Sequence, residues 1–240
     1  MPLQMTVWNN RMTANSWDRY IYLALHKFRL MGSSSQRLLN SLIKKDMTVV
    51  DVGANIGLYT GLFSYLVGPV GKVISVEPDP DNFLALLTAA ETNRWANVEC
   101  HACALHDKQD SLLLLRDPCN SGNHVPADRP QIRLAENLQK IEGRRLDKLV
   151  SSQKVDFIKI DVQGWELRVL QGAQQIIASK EPLSLLVELW PKGLRRNGSS
   201  ADEVLEYLRN YSFRLIDPKD GLSFKAAPTH GYKDVLAIRP

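Results

Sequence analysis

Cysteine is scarce: the 240-residue chain has three, Cys100, Cys103 and Cys119. So few thiols, and an odd number of them, exclude a disulfide framework as the source of stability. Long apolar runs are missing too, none approaching the roughly 20 residues that a bilayer-spanning helix needs. The first thirty residues include Trp8, Asn9, Asn10, Arg11, Asp18 and Arg19, too polar for a secretory core. These two absences lead to the expectation of a cytoplasmic chain with no membrane partner. No Pro/Gly/Ser-rich linker or low-complexity run divides the sequence, whose length suits one well-buried domain. Charge of one sign is also in short supply. The formal net charge is +4, bases and acids are interspersed, and the only adjacent arginines are Arg144-Arg145 and Arg195-Arg196. That pattern describes a solvated surface and argues against a nucleic-acid partner.

The thiols do raise one question. Cys100 and Cys103 are three apart and Cys119 precedes His124 by five, a spacing that resembles zinc ligation. Cys100 and Cys103 fall at the end of a strand, however, where side chains three apart point to opposite faces. They read as ordinary reduced thiols, and no metal is assigned.

What the chain has is alternation of strand and helix. A helical period covers 16–31, with Trp17, Tyr20, Ile21, Leu23, Ala24, Leu25 and Phe28, and a second short helix covers 35–44. These either pad one edge of a sheet or form a lid over a site. From Asp46 onward the order is strand to Val52, helix 57–67, strand 72–77, helix from Pro80 to Arg94, and strand 97–102. Strands returned by crossover helices run parallel, so the class is α/β. The rhythm breaks at 111–145, a long excursion expected to lie over the pocket. It resumes with strand 155–161, helix 165–178, strand 183–189, helix 201–210 capped by Ser200, strand 212–216 and a last strand at 235–238. The last two strands have no helix between them and should pair antiparallel.

The chemistry concentrates where strands end. Val49-Val50-Asp51-Val52-Gly53-Ala54-Asn55-Ile56-Gly57 is a buried strand running into a small-residue turn that opens a helix. Gly53 allows a steep exit and Gly57 a helix start close to a ligand. A dinucleotide cradle wants Gly-x-Gly-x-x-Gly, whereas this turn is Gly-x-x-x-Gly with Asn55 at its centre, which disfavours NAD. Glu77 ends the second strand, where a carboxylate can accept hydrogen bonds from both hydroxyls of a ribose. The pair suits an adenosine-bearing ligand.

Taken together, Asp51-Val52-Gly53-Ala54-Asn55-Ile56-Gly57, Glu77-Pro78, Ala104-Leu105, Leu146-Asp147 and Lys159-Ile160-Asp161-Val162-Gln163-Gly164-Trp165-Glu166 resemble the FkbM family of S-adenosylmethionine-dependent methyltransferases. The resemblance covers about 47–188. Family members commonly carry Glu and Phe or Tyr where this chain has Gln163 and Trp165, and both departures are expected on the pocket side. The resemblance implies a class I methyltransferase fold: a Rossmann-like, mostly parallel seven-stranded sheet whose last pair is antiparallel. It also implies S-adenosylmethionine as cofactor and transfer of a methyl group, typically to a hydroxyl oxygen. By the same analogy Asp51, Gly53, Asn55 and Gly57 surround the methionine part, Glu77 holds the ribose, Ala104 and Leu105 flank the adenine, and Asp161 sits beside the sulfonium. Residues 1–45 would then be a helical lid or substrate wall on a methyltransferase domain at 46–240.

The chemistry asks little more. A sulfonium methyl is already activated, so the protein must align the acceptor and help remove its proton. Candidate bases are Asp161, Glu188 and His124. Asp161 and Glu188 could alternatively share a divalent cation. The expected acceptor is a hydroxyl on a small molecule or glycan. A non-catalytic, cofactor-binding regulatory module is the competing reading. RNA methylation is disfavoured, since aromatic and basic residues are not interleaved and no Asn-Pro-Pro-Tyr-type run follows the fourth strand.

Overall fold

A computed structural model describes residues 3–14, 34–117, 125–127, 138–151 and 153–240. The helix expected at 16–31, Cys119 and His124 lie outside the described residues.

Strands that alternate apolar residues on both faces belong in the middle of a covered sheet. Here they are β3 (Thr48–Val52), β4 (Lys72–Val76), β10 (Phe157–Ile160) and β11 (Leu183–Leu189). β10 is buried along its whole length. With β5 (Val98–His101), β12 (Arg214–Ile216) and β13 (Lys233–Arg239) they form a seven-stranded sheet in the order β12-β13-β11-β10-β3-β4-β5. The five strands from β11 to β5 are mutually parallel. β13 inserts antiparallel between β11 and β12. This is the mostly parallel sheet with an antiparallel end that the resemblance implies.

Helices cover both faces. On one side Val49, Val73, Phe157 and Leu186 pack on α1 (Ser34–Leu42) and α2 (Leu58–Val67) through Leu39, Leu62, Phe63 and Val67. On the other, Val50, Val52, Ile158, Ile160, Leu185 and Val187 meet Val169 and Leu170 of one helix and Val204, Leu205 and Leu208 of another. α3 (Pro80–Asn93) begins with Asp79 as N-cap, its carboxylate accepting the N–H groups of Asp81 and Asn82, and with proline at the first turn.

Three features depart from the sequence expectation. First, β1 (Leu3–Val7) and β2 (Asn10–Ala14) form an antiparallel hairpin. Trp8 and Asn9 both have positive φ, as a two-residue hairpin turn requires. Val7 and Met12 bury against Ile56 and Ala89, and Asn10 Oδ1 accepts the Trp95 indole N–H at 3.0 Å.

Second, the excursion is partly a sheet of its own. β6 (Ala104–Leu105), β7 (Ser111–Leu115), β8 (Val125–Ala127) and β9 (Leu138–Arg144) pair in the order β6-β9-β7-β8. After the short α4 (Leu146–Leu149) the chain re-enters the main sheet.

Third, the helix expected at 165–178 is two: α5 (Glu166–Gly172) and α6 (Gln174–Ala178), broken at Ala173. The break follows Gly172, where a Cβ would overlap the carbonyl oxygen of His106. A short α7 (Pro191–Arg196) also precedes α8 (Ala201–Asn210), which Ser200 caps as expected. Among the described residues no helix is long and apolar enough to cross a membrane.

Candidate active site at the strand tips

Strand register assembles the site. Asp51 and Lys159 are directly paired positions of adjacent parallel strands, with Ser75 on the far side of Asp51. Two residues beyond Lys159 comes Asp161, on the same face. In the antiparallel pair beside it, Glu188 lies opposite Asp234. A polar row therefore crosses the carboxyl ends of the strands, beneath the start of α2, where open α/β sheets place their ligands.

Contacts within the row are specific. Thr60 Oγ1 donates to Asp51 Oδ2 at 2.7 Å and lies 3.0 Å from Ser75 Oγ. Lys159 Nζ is 3.8 Å from Asp51 Oδ1 and 3.4 Å from Asp161 Oδ2, and it lies 4.7 Å from the centre of the Tyr59 ring. The Gln163 amide donates to Asp161 Oδ1 at 2.8 Å and to Glu188 Oε2 at 3.3 Å.

The electrostatics follow from crowding carboxyls in a poorly solvated place. Burial pushes the Asp51 carboxyl up, against the pull of Lys159. Burial first, and then Asp161 and Asp234, hold the Glu188 carboxyl well above the usual range. Asp234 is raised in the same way, although its outer side meets water, which damps the effect. Burial alone would lower the Lys159 ammonium, but Asp161 and Asp51 outweigh it and keep that cation firmly charged.

The turn after β3 meets this row. Gly53 has φ +78°, and a Cβ there would overlap the carbonyl oxygen of Asp161. Only glycine allows both the left-handed backbone and the close approach. The two motifs, far apart in sequence, thus share one crevice. Asn55 is also left-handed, at φ 51°, and its side chain accepts the Ile56 N–H at 2.8 Å. Gly57 has φ +92°, with Leu86 and the Trp95 ring beside its Cβ position. That glycine answers to packing as well as to the helix start.

Glu77, 4% exposed, ends the next strand. Its Oε2 accepts the Asn55 N–H at 2.8 Å and its Oε1 the Asp79 N–H at 2.9 Å. Burial pushes this carboxyl up to about 7 in spite of those bonds. Oε2 keeps a second lone pair for a ligand hydroxyl, while the Asn82 amide also approaches Oε1 at 3.5 Å.

Asp51, Gly53, Asn55, Gly57, Glu77, Asp161 and Glu188 therefore gather at one end of the sheet. Ala104 and Leu105 are both 4% exposed just past β5, Ala104 against Trp165, Leu112, Leu114 and Ile141, and Leu105 in the main core. Gln163 faces the carboxylates of the row. Trp165 does not face a pocket: it is 2% exposed, buried under the excursion sheet, and edge-on to His106 at 6.0 Å.

Sequence reasoning gave Lys159, Tyr59 and Asp234 no role. Asp234 carries one faint signal, an acid opening the strand that must pair with Glu188. It also missed the rim, where Tyr232, 57% exposed, stacks on Trp190 at 5.4 Å with rings 15° apart.

Other candidates gather less. Cys100 and Cys103 are free, with thiols that burial pushes up to about 11. Among the described residues no cluster of His, Cys, Asp and Glu is arranged to hold a metal ion. A concavity of about 350 Å³ between Lys154, Val155, Gln175, Ile176 and Leu183 opens at the amino ends of the strands, away from this row.

The crevice fits S-adenosylmethionine. Asp51 Oδ1 is buried and accepts no hydrogen bond. Asp161, Glu188 and Asp234 share the Lys159 ammonium as a common neighbour, so the row favours a cationic ligand. Glu77 offers at the strand end an acceptor of the kind that suits a ribose diol.

Known proteins point the same way. The chain is 27% identical over 146 residues to Methyltransferase 1 of Beauveria bassiana, a match covering 53% of this chain and 58% of that protein. It is 25% identical over 178 residues to Methyltransferase sdnD of Sordaria araneosa, covering 61% and 68%. The match thus spans under two thirds of the first relative's length. In fold it is similar to the Methyltransferase FkbM crystal structure from Methylobacillus flagellatus, with a TM-score of 0.51 and 17% identity over 94% of this chain and 55% of that one. The model of the methyltransferase FkbM domain matches residues 51–215, and the chain belongs to that family of S-adenosylmethionine-dependent methyltransferases.

Proposed function

We propose that this protein transfers a methyl group from S-adenosylmethionine to a hydroxyl oxygen of a small molecule or glycan. The observation that supports the reading is the contact between the Gly53 turn and Asp161, which brings the turn after β3 and the carboxylate row into one crevice. In it Asp51 and the 53–57 turn hold the methionine end, and Glu77 holds the ribose diol. Ala104 and Leu105 flank the adenine. When bound, the cofactor supplies a methyl group already activated by its sulfonium.

The chain's own task is the acceptor proton. Asp161, its side chain 30% exposed, is the carboxylate that reaches the crevice and accepts the hydroxyl hydrogen at an Oδ atom. Gln163 and Lys159 hold that carboxylate in place from two sides. Glu188, bonded to the same Gln163 amide, is the alternative base. His124 stays a candidate from the sequence alone. Residues 1–45 and the 111–145 excursion are proposed to wall the acceptor. The setting proposed is the cytoplasm.

The test uses the purified chain, radiolabelled S-adenosylmethionine and a panel of polyol, phenol and glycan acceptors. Label transferred to oxygen, reduced by about 10²-fold or more in Asp161→Asn, supports the reading. Cofactor binding without turnover on any acceptor would instead favour a regulatory module.

A further inference from the structure

One guanidinium joins the excursion to the cofactor side of the crevice. Arg116 follows β7, and its side chain crosses to the loop after β4. Its Nε lies 2.5 Å from Asp79 Oδ2, and its Nη2 lies 3.3 Å from Asp79 Oδ1 and 2.5 Å from Asp81 Oδ2.

Asp79 is fully buried. Its Oδ1 also accepts the N–H groups of Asp81 and Asn82, both at 3.0 Å, as the cap of α3. The Asp79 N–H itself donates to Glu77 Oε1, and Asn82 Nδ2 reaches the same oxygen at 3.5 Å. Glu77 is thus oriented by backbone at two places, Asn55 and Asp79. The second place depends on where the Asp79 carboxylate sits. A buried carboxylate stays put only with a countercharge, and a planar fork spanning two carboxylates fixes position as well as charge.

We infer that Arg116 is a positioning residue: through Asp79 it holds Glu77 in the orientation that receives a ribose diol, and so ties cofactor affinity to the docking of the excursion sheet. This rests on the reading of Glu77 given under the proposed function. If the guanidinium is lost, Asp79 turns toward water, the α3 cap loosens, and the N–H that orients Glu77 moves with it. The cost falls on the ribose contacts. An effect on general stability would fall on every ligand alike.

The experiment titrates S-adenosylhomocysteine and its 2′,3′-dideoxy analogue into the full chain by calorimetry. Wild type, Arg116→Ala and Arg116→Lys are compared, with the melting temperature of each recorded. Arg116→Ala is expected to weaken S-adenosylhomocysteine about tenfold, a loss typical of one displaced charge-assisted contact, and the dideoxy analogue less than about twofold. Arg116→Lys, which keeps charge without the fork, should fall between. In turnover, Arg116→Ala should raise the KM for the cofactor more than it lowers kcat. Equal losses for the two ligands, or none, overturn the inference. If Arg116→Ala fails to fold, Asp81→Asn releases one arm of the fork and must show the same ligand-selective loss at smaller size. A wild-type chain that binds neither ligand, or binds both equally, overturns the parent reading of Glu77, whereas a wild-type ribose selectivity that Arg116→Ala leaves unchanged overturns this inference alone.

Discussion

Lys159 and Asp51 are neighbours in the hydrogen-bonded register of β10 and β3, and their charged atoms lie 3.8 Å apart at the buried centre of the sheet. Breaking such a pair by removing one partner leaves an uncompensated charge, whereas removing both can be nearly neutral. Lys159→Met should therefore destabilise by about 3–5 kcal/mol near neutral pH. Because burial already raises the Asp51 carboxyl, the deficit should shrink as the pH falls and Asp51 takes a proton. Adding Asp51→Asn should recover most of it. Urea melts of the three variants at pH 5 and 8 check this.

The pH dependence of the wild type should run opposite to that of most proteins. Burial pushes Glu77 and Glu166 up from 4.5 to about 7. A carboxyl with a raised folded-state value stabilises fully below its unfolded value, and that contribution is lost as the pH rises through about 7. Each accounts for at most about 3 kcal/mol. Stability is thus expected to decline between pH 5 and 8, and Glu77→Gln to flatten the decline. On the proposed role of Glu77 at the ribose, cofactor affinity should rise over the same interval as Glu77 ionises. Denaturant melts and calorimetry across that range measure the two trends.

Gly53→Ala and Gly221→Ala make a matched comparison. Both glycines have positive φ, +78° and +74°, but only at Gly53 would a Cβ meet another part of the chain, the Asp161 carbonyl. Gly221→Ala should cost about 1 kcal/mol from its backbone alone. Gly53→Ala should cost several times that, roughly 3 kcal/mol or more once strain and overlap add, and should abolish cofactor binding. Similar melting temperatures for the two variants would contradict the close approach.

Gln163 hydrogen-bonds Asp161 and Glu188 together. Gln163→Glu places a carboxylate between two others, so the proton affinity of the group should rise. The acid limb of the kcat profile is expected to move up by about one pH unit, with the melting temperature lowered at pH 8 more than at pH 6. A profile that stays in place would separate Gln163 from the proton-handling groups.

Much of the main sheet is legible in the residues because periodicity reports burial locally. Val49, Val50 and Val52, or Phe157, Ile158 and Ile160, announce interior strands whatever surrounds them. The hairpin at 3–14 was less visible, since polar residues fill half its positions and its turn is Asn-bearing without glycine. Nothing local marks the break at Ala173: the Gln175 and Ile176 N–H groups that open the next helix donate to Asp147, from a distant part of the chain. The site divides in the same way. Asp51, Glu77 and Asp161 end strands and could be picked out singly. Lys159 between Asp51 and Asp161, Asp234 across from Glu188, and Arg116 on Asp79 exist only through register or through a second sheet. Trp165 was misplaced for the same reason: one position after Gly164 it faces the excursion, and only the structure of the excursion shows that this side is filled.

The Tyr232 ring overlying Trp190 equips the rim with an intrinsic fluorescence reporter. An indole emits according to the polarity and quenchers around it, and this one has a half-open neighbour at the mouth of the crevice. A ligand that disturbs this stacked pair should change the emission in real time, without a dye or a label.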